Sequence, residues 1–144
     1  MNAYWDTSGL IRAARLRKAP RGYTRSHSLA EFYAVMTGRG LTVETPEGKA
    51  QWVFSPADAV AAATATFANL EWSELQPGEV KSALSAAVVA NVHGANIHDW
   101  LHARAAAACA ADVVTLNARH FEPILGGLRL ANVAEALAEA PDWA

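Results

Sequence analysis

The sequence contains few of the features that stabilise secreted domains or anchor proteins in membranes. Its one cysteine, Cys109, cannot form an internal disulfide and lies in an alanine-rich, helix-like stretch. No unbroken apolar run approaches the roughly 18 residues that a membrane-spanning helix requires. The first residues show no basic-then-apolar leader with a small-residue cleavage pattern, so secretion is not expected. We therefore expect a cytoplasmic protein that makes no membrane contact.

The net charge is small, −2, but the charges are unevenly distributed along the chain. Residues 1–39 carry seven of the twelve basic side chains and only two acids, Asp6 and Glu31, so this segment is +5 and the remainder −7. A block of like charge forms either a solvated surface or a patch that binds phosphates. Both acids lie in apolar sequence away from the basic cluster, which favours the phosphate patch.

Short apolar stretches alternate with helical patterns along the chain. We expect strands at NAYW, YTRSH, EWSEL, DVVTL and LRLANV, and a hairpin within the polar segment RGLTVETPEGKAQWV. Strands that alternate with helices predict an α/β fold, with a mostly parallel central sheet flanked by helices on both faces. No internal repeat or linker divides the sequence, so residues 1–144 are predicted to form one domain.

Local signals mark several helix ends. Ser28 and Glu31 have the spacing of a capping box, and Gly38 is a typical stop for the same helix. Ser55 followed by proline predicts a second helix start, and Gly94 is expected to close the helix that begins at PGEVK. A further helix is expected over NIHDWLHARAAAACAA and a short one at AEALAEA.

Four polar residues lie at the boundaries of apolar elements. Asp6 ends the first strand and Asn117 follows DVVTL, at the edge of a parallel sheet where ligands bind. Each residue also has a purely structural interpretation. Asp6 and Asp99 are each placed to cap a following helix, Glu31 to complete the capping box, and Asn117 to adopt a left-handed turn. No single residue decides between these readings.

Taken together, the acids favour a metal site. Carboxylates that converge without a counter-charge repel one another, and a divalent cation relieves this. Mg²⁺ prefers oxygen ligands and retains several waters, so a few carboxylates suffice. Zinc is disfavoured, because His98 and His102 enclose Asp99 and Trp100 rather than an H-E-x-x-H pattern. A phosphatase of another α/β class is also disfavoured, because Thr7 and Ser8 follow Asp6 where a D-x-D pair would be needed.

Four stretches, YWDTSGLI, SLAEFYAVMTG, GANIHDWLHARAAAA and VVTLNARHF, resemble in order and spacing the motifs of PIN domains, most closely those of VapC-type toxins from toxin–antitoxin operons. The resemblance covers residues 2 to about 133. It implies that Asp6, Glu31, Asp99 and Asn117 form the catalytic set and that Ser8 shapes the site. The chain departs from the family at Asn117, where many relatives carry a fourth Asp, and at His120, where several carry an acid.

The resemblance also implies the chemistry and the partners. PIN-like toxins are Mg²⁺- or Mn²⁺-dependent endoribonucleases, which here would use Asp6 and Asp99 as metal ligands. Water rather than the 2′-hydroxyl would attack the RNA, leaving 5′-phosphate and 3′-hydroxyl ends. A homodimer and a small cognate antitoxin are implied as well. The alternative is a PIN-like module that has lost catalysis through Asn117 and only binds RNA or protein.

The remaining expectations concern arginines and tryptophans. Arg12 and Arg15 share one side of the helix after Asp6, where they are placed to bind RNA phosphates, while Arg17 points away. They can equally be surface charge or an antitoxin contact. Trp5 and Trp72 fall in predicted strands and are expected in the core. Trp100, next to Asp99, is expected to contact substrate or a second copy of the chain.

Overall fold

The sheet at the centre of the fold is entirely parallel. The structure is a computed structural model that describes residues 2–144. Four three-residue strands form this sheet, and a separate two-stranded antiparallel hairpin lies outside it. The elements follow in this order: β1 (Ala3–Trp5), α1 (Thr7–Arg15), β2 (Gly22–Thr24), α2 (Ser26–Thr37), β3 (Leu41–Thr45), β4 (Gly48–Trp52), α3 (Pro56–Thr66), β5 (Leu70–Trp72), α4 (Pro77–Val89), α5 (Asn96–Ala108), β6 (Asp112–Val114), α6 (Ala118–Phe121) and α7 (Val133–Glu139).

The strands of the sheet lie in the order β5-β2-β1-β6. The central strand β1 is buried on both faces because its side chains alternate between two cores. Ala3 and Trp5 join a cluster built from α1, α2, α3 and α7. Tyr4 points the other way, into a cluster with the alanines of α5 and with Phe121. This alternation is the period-two pattern of a strand covered by helices on each side. The predicted α/β class, with a parallel sheet and helices on both faces, is confirmed.

The predicted hairpin is present, and one glycine permits its close contact with α2. Gly40 adopts φ +72°, and a Cβ at this position would strike the backbone carbonyl of Trp52. The Phe54 N–H donates to the Met36 carbonyl at 2.8 Å, which fixes the hairpin's exit to the same helix. The hairpin therefore lies beside the C-terminal end of α2, although its outer strand is exposed along its length.

Several predicted boundaries are wrong. The helix α2 begins at Ser26 rather than after Ser28, and Ser28 lies buried inside it. The helix α4 ends at Val89, well before Gly94, because Asn91 takes the left-handed position at φ +56°. LRLANV does not form a strand, since only Leu130 makes an isolated bridge to Val113. The caps at Ser55 and Gly38 are as predicted.

No helix within residues 2–144 combines the length and the apolar character needed to cross a membrane.

Candidate functional site

Asp6 lies at the carboxyl edge of the sheet and is held by three hydrogen bonds. It is 3% exposed and caps α1, where its Oδ1 accepts from the Gly9 N–H at 2.9 Å. The Ser8 hydroxyl donates to the same oxygen at 2.8 Å, and the Thr115 hydroxyl donates to Oδ2 at 2.6 Å. Asp6 is therefore the predicted helix cap, and one acceptor direction of Oδ2 is left for a further ligand.

The same network joins the first turn of α1 to the loop after β6. The Leu116 N–H donates to Ser8 Oγ at 3.0 Å, and the Asn117 N–H donates to Thr115 Oγ1 at 3.0 Å. Gly9 allows this approach, because a Cβ there would come within 2.9 Å of the Val114 carbonyl oxygen. Ser8 thus shapes the surroundings of Asp6 through direct contact.

Glu31 projects from α2 towards two histidines. Its Oε1 lies 3.3 Å from Nε2 of His102 and 3.4 Å from Nε2 of His27. Burial raises the pKa of Glu31, but the hydrogen bond and charge of His102, together with His27, hold this pKa below its ordinary value. The capping box predicted for Glu31 is wrong: the Thr24 hydroxyl donates to Ser28 Oγ at 2.9 Å, and α2 has no side-chain cap from within its own sequence.

His27 does not form an ion pair with Glu31 at neutral pH. Burial, together with the charges of Arg25, His102 and His98, lowers the pKa of His27 in spite of the attraction of Glu31. The pKa values of His27 and Glu31 are thus both lowered, whereas in an ion pair the pKa of the histidine would rise and that of the carboxyl would fall. His27 also stacks on His98, with ring centroids 5.4 Å apart. We therefore treat the contact of His27 with Glu31 as one between a neutral imidazole and a carboxylate.

Asp99 lies in the first turn of α5 and faces the same region. It is not a helix cap, because that position belongs to Ala95. Its Oδ2 lies 3.6 Å from Nδ1 of His120. Burial raises the pKa of Asp99, the charges of His102 and His120 oppose this, and the charges of Asp6 and Glu31 add to the rise. Three acids separated by many residues in sequence are therefore within electrostatic reach of one another.

Asn117 and the two arginines are placed differently from the acids. Asn117 precedes α6 and is exposed, with φ −110°, so the predicted left-handed turn is wrong. Its link to Asp6 passes through its backbone and Thr115. Arg12 and Arg15 line a separate cavity further along α1. The structure thus places the predicted site residues Asp6, Glu31, Asp99 and Ser8 in one region, and the two arginines lie beside it.

The acids do not form a closed ligand cage. Among residues 2–144, no three His, Cys, Asp or Glu side chains are grouped closely enough to hold one ion between them. Thr7 Oγ1 is one of two buried side-chain oxygens within the described residues that make no hydrogen bond, and it lies close enough to Glu31 to lower the pKa of that carboxyl. An unsatisfied buried hydroxyl is costly, so Thr7 Oγ1 is available to bind a further polar group beside Glu31.

The tryptophan predictions had mixed outcomes. Trp5 is buried as expected, at 1% exposure, but Trp72 is 49% exposed because β5 is an edge strand of the sheet. Trp100 is buried between α4 and α5, where its Nε1 donates to the Ala83 carbonyl at 2.8 Å. The Arg104 guanidinium lies 4.7 Å from its ring centroid. Trp100 is therefore a packing residue rather than a surface contact for substrate or a second copy.

Sequence reasoning missed the polar residues that surround the acids. Tyr4 reads as a core residue, yet its hydroxyl lies 2.7 Å from Nδ1 of the buried His102. Thr115 reads as part of an apolar strand, yet it bonds directly to Asp6. Only His27 left a local signal, since it precedes Glu31 by one helical turn.

No protein-family model matches this chain, and no curated protein sequence matches it. The function proposed below therefore depends on the geometry of the chain's own residues and on the motif resemblance.

Proposed function

We propose that this protein is a metal-dependent endoribonuclease of the PIN type, which hydrolyses RNA phosphodiester bonds to 5′-phosphate and 3′-hydroxyl ends. Asp6, Glu31 and Asp99 form its acidic centre, and Asn117 borders it. The proposal extends to a cytoplasmic VapC-like toxin that dimerises and is neutralised by a small antitoxin. One geometric observation carries the catalytic part. Glu31 contacts His102, which lies one turn beyond Asp99 on α5. A chain of contacts through His120, Asn117 and Thr115 connects Asp99 to Asp6.

The residues fit a hard divalent cation such as Mg²⁺ or Mn²⁺. The donors that we assign to the ion are oxygens: the free acceptor direction of Asp6, the Asp99 carboxylate, and the Thr7 hydroxyl. Mg²⁺ usually takes one or two protein carboxylates and fills its other positions with water, so it does not require three grouped side chains. Asp6 and Asp99 are the proposed direct ligands. Thr7 would complete its hydrogen bonding through a water on the ion.

The chain's own residues would prepare the site for hydrolysis. Ser8, Thr115 and the Gly9 N–H fix both oxygens of Asp6 in position. Glu31 remains ionised at neutral pH because its pKa is lowered, despite the opposing effect of burial, by His102 and His27. An ionised Glu31 can orient a water and accept its proton. When bound, the cation would offset the charge of the phosphodiester and make a bound water more acidic.

A cleavage assay tests the proposal. Purified protein is incubated with a labelled structured RNA and Mg²⁺ or Mn²⁺, and the product ends are identified with a 5′-phosphate-dependent exonuclease. We expect cleavage that stops on chelation and falls by at least about 100-fold in Asp99→Asn, the scale at which loss of a site group affects catalysis. Glu122→Gln, an exposed acid outside the site, is the matched control. Products with 2′,3′-cyclic phosphate ends would contradict hydrolysis by water.

A second function is favoured by one specific feature. Asn117 supplies a neutral amide where many PIN domains carry an acid, which weakens one metal position. On this reading the chain is a catalytically weak PIN-like module that binds RNA or protein. Binding of RNA without any cleavage in Mg²⁺ or Mn²⁺, together with unchanged binding in Asp99→Asn, would support the module and contradict the enzyme.

The toxin role requires a test in cells. Induced expression should arrest bacterial growth, and Asp99→Ala should relieve the arrest at equal protein level. If Asp99→Ala arrests growth as strongly as the unaltered chain, toxicity does not come from the acidic centre. A gene for a small DNA-binding protein directly upstream in the same operon would favour the antitoxin.

A further inference from the structure

Three arginines converge on one concave surface beside the acidic site. Arg12 and Arg15 of α1 and Arg39, just after α2, line a cavity of about 340 Å³ that the β3–β4 hairpin encloses on its other side. Thr42 and Gln51 of the hairpin contribute polar groups to the same wall. We call this the arginine groove.

The charges of the arginine groove are not neutralised within the protein. Across residues 2–144, the basic side chains that lie within 4 Å of a carboxylate are Lys18, Arg129 and three histidines, and none of the groove arginines is among them. Among the described residues, no carboxylate lines the cavity. Guanidinium groups remain protonated at physiological pH, so three of them around one cavity repel one another unless an anion binds. The groove is therefore suited to an anionic ligand.

The arginine groove adjoins the surroundings of Asp6 at Leu116. Leu116 lines the cavity, and its N–H donates to Ser8 Oγ, whose hydroxyl in turn donates to Asp6 Oδ1. The rise of α1 places Arg12 about 9 Å, and Arg15 about 13.5 Å, beyond Asp6 along the helix axis. A ligand in the groove that reached Asp6 would therefore need to be a polymer with anionic groups at intervals.

The shape of the site favours a single nucleic acid strand. Asp6 is almost fully buried at the edge of the sheet, which favours approach by a single strand over approach by a duplex. Guanidinium groups match phosphate geometry in a bidentate manner. Ile11, Val35 and Leu41 line the same cavity and offer apolar surface for sugar or base contact. A positively charged groove that follows the backbone is the usual arrangement for single-stranded nucleic acids.

We propose that the arginine groove binds the phosphodiester backbone of single-stranded RNA and leads the strand to the acidic site. Arg39 and the hairpin thereby become parts of the substrate-binding surface, along with Arg12 and Arg15. The direction of the strand towards the acids rests on the proposed nuclease function, whereas anion binding in the groove does not. An acidic peptide is the competing ligand class.

Fluorescence anisotropy with a labelled 12-nucleotide single-stranded RNA tests the groove, with EDTA present so that cleavage does not interfere. Affinity is measured over a salt series for the unaltered chain and for Arg12→Gln, Arg15→Gln and Arg39→Gln. Three phosphate contacts predict a slope of log K against log salt of about −2, and each variant should reduce its magnitude by about 0.7. Arg17→Gln, which removes the same charge outside the cavity, should keep the full slope.

Each outcome bears on the groove separately from catalysis. Arginine-dependent RNA binding supports the groove even if no cleavage occurs, in which case only the nuclease proposal fails. Cleavage with unchanged binding in all three variants overturns the groove and leaves the nuclease intact. Binding of polyglutamate that depends on the three arginines, without binding of RNA, assigns the groove to an acidic protein partner and overturns the proposal. Single-stranded DNA of the same length is the comparison that tests for recognition of the 2′-hydroxyl.

Discussion

The hydroxyl of Tyr4 lies 2.7 Å from Nδ1 of His102, deep between the sheet and α5. Burial raises the pKa of Tyr4 far above its ordinary value, so the phenol stays protonated. Since the Glu31 carboxylate can only accept, the proton on Nε2 of His102 must face it across the 3.3 Å contact. A buried residue of β1 thus determines how His102 is oriented towards the acidic site.

Tyr4→Phe should weaken this arrangement without a change in side-chain shape. It leaves Nδ1 of the buried His102 without its partner, which is expected to cost about 1–3 kcal/mol of unfolding free energy. The measurement is urea denaturation. Tyr33→Phe is the matched control, because Tyr33 is exposed on α2 and should change stability by less than about 0.5 kcal/mol. Equal stability of the two variants would contradict the role of the Tyr4 hydroxyl.

Asp99→Asn should stabilise the metal-free protein at neutral pH. Burial, reinforced by the charges of Asp6 and Glu31, raises the pKa of Asp99 on folding. An acid whose pKa is higher in the folded than in the unfolded state stabilises the fold at pH values below its unfolded-state pKa. That contribution is lost as the pH rises through the folded-state pKa. The variant should therefore have the higher Tm in EDTA at pH 7. The difference should disappear as the pH falls below the ordinary Asp value of 3.8.

Magnesium should reverse the order of thermal stability of the unaltered chain and Asp99→Asn. A cation that binds only the folded state stabilises it increasingly as the free cation concentration rises above the dissociation constant, and Asp99 is a proposed ligand. Thermal denaturation with increasing MgCl₂ should raise the Tm of the unaltered chain more than that of Asp99→Asn. Glu122→Gln should respond to magnesium as the unaltered chain does. Equal magnesium responses in all three proteins would remove Asp99 from the metal site.

Thr115→Val should disturb the connection between β6 and Asp6. The variant keeps the β-branched shape but loses the hydroxyl that donates to Asp6 Oδ2 and accepts from the Asn117 N–H. A hydrogen bond to a charged group contributes about 1.5–3 kcal/mol, so we expect a loss of stability in that range by urea denaturation. Thr64→Val is the control, because the Thr64 hydroxyl is exposed and bonds only within its own helix. A loss in Thr64→Val equal to that in Thr115→Val would show that the Asp6 contact is not the cause.

The sequence predicted the elements better than it predicted where they begin and which polar residues they bring together. The cap at Asp6 is a local effect, because strand, acid and helix are adjacent in the chain. The start of α2 is not determined locally, because its first N–H is capped by the carboxylate of Glu74, 48 residues away. The Ser28–Glu31 spacing could not reveal a cap from so distant a residue. Trp72 is exposed because its strand lies at the sheet edge, which a strand pattern alone does not show.

The surroundings of the site were hidden for the same reason. Tyr4, His102 and Glu31 form one connected group, but they come from β1, α5 and α2. Their contacts exist only after the sheet has placed these elements side by side. Polar residues in apolar stretches such as Tyr4 and Thr115 therefore read as core from sequence, although their hydroxyls are directed at the site.

Gly40→Ala should displace the hairpin and thereby affect both stability and RNA binding. Gly40 has φ +72°, and a Cβ would strike the Trp52 carbonyl, so neither the backbone conformation nor the contact can be kept. We expect a loss of more than about 2 kcal/mol in urea denaturation, above the roughly 1–2 kcal/mol of left-handed strain alone. The arginine groove shares Gly40 and Leu41 as walls, so affinity for single-stranded RNA should fall as well.

Gly94→Ala separates the clash from the backbone strain. Gly94 has a similar φ of +62°, but a Cβ there meets no atom within 4 Å. This variant should lose only the left-handed strain and should keep the full salt slope of RNA binding. Equal losses of stability in the two variants would show that the hairpin does not depend on the contact between Gly40 and Trp52. Unchanged RNA affinity in Gly40→Ala, despite the larger loss of stability, would remove the hairpin from the groove.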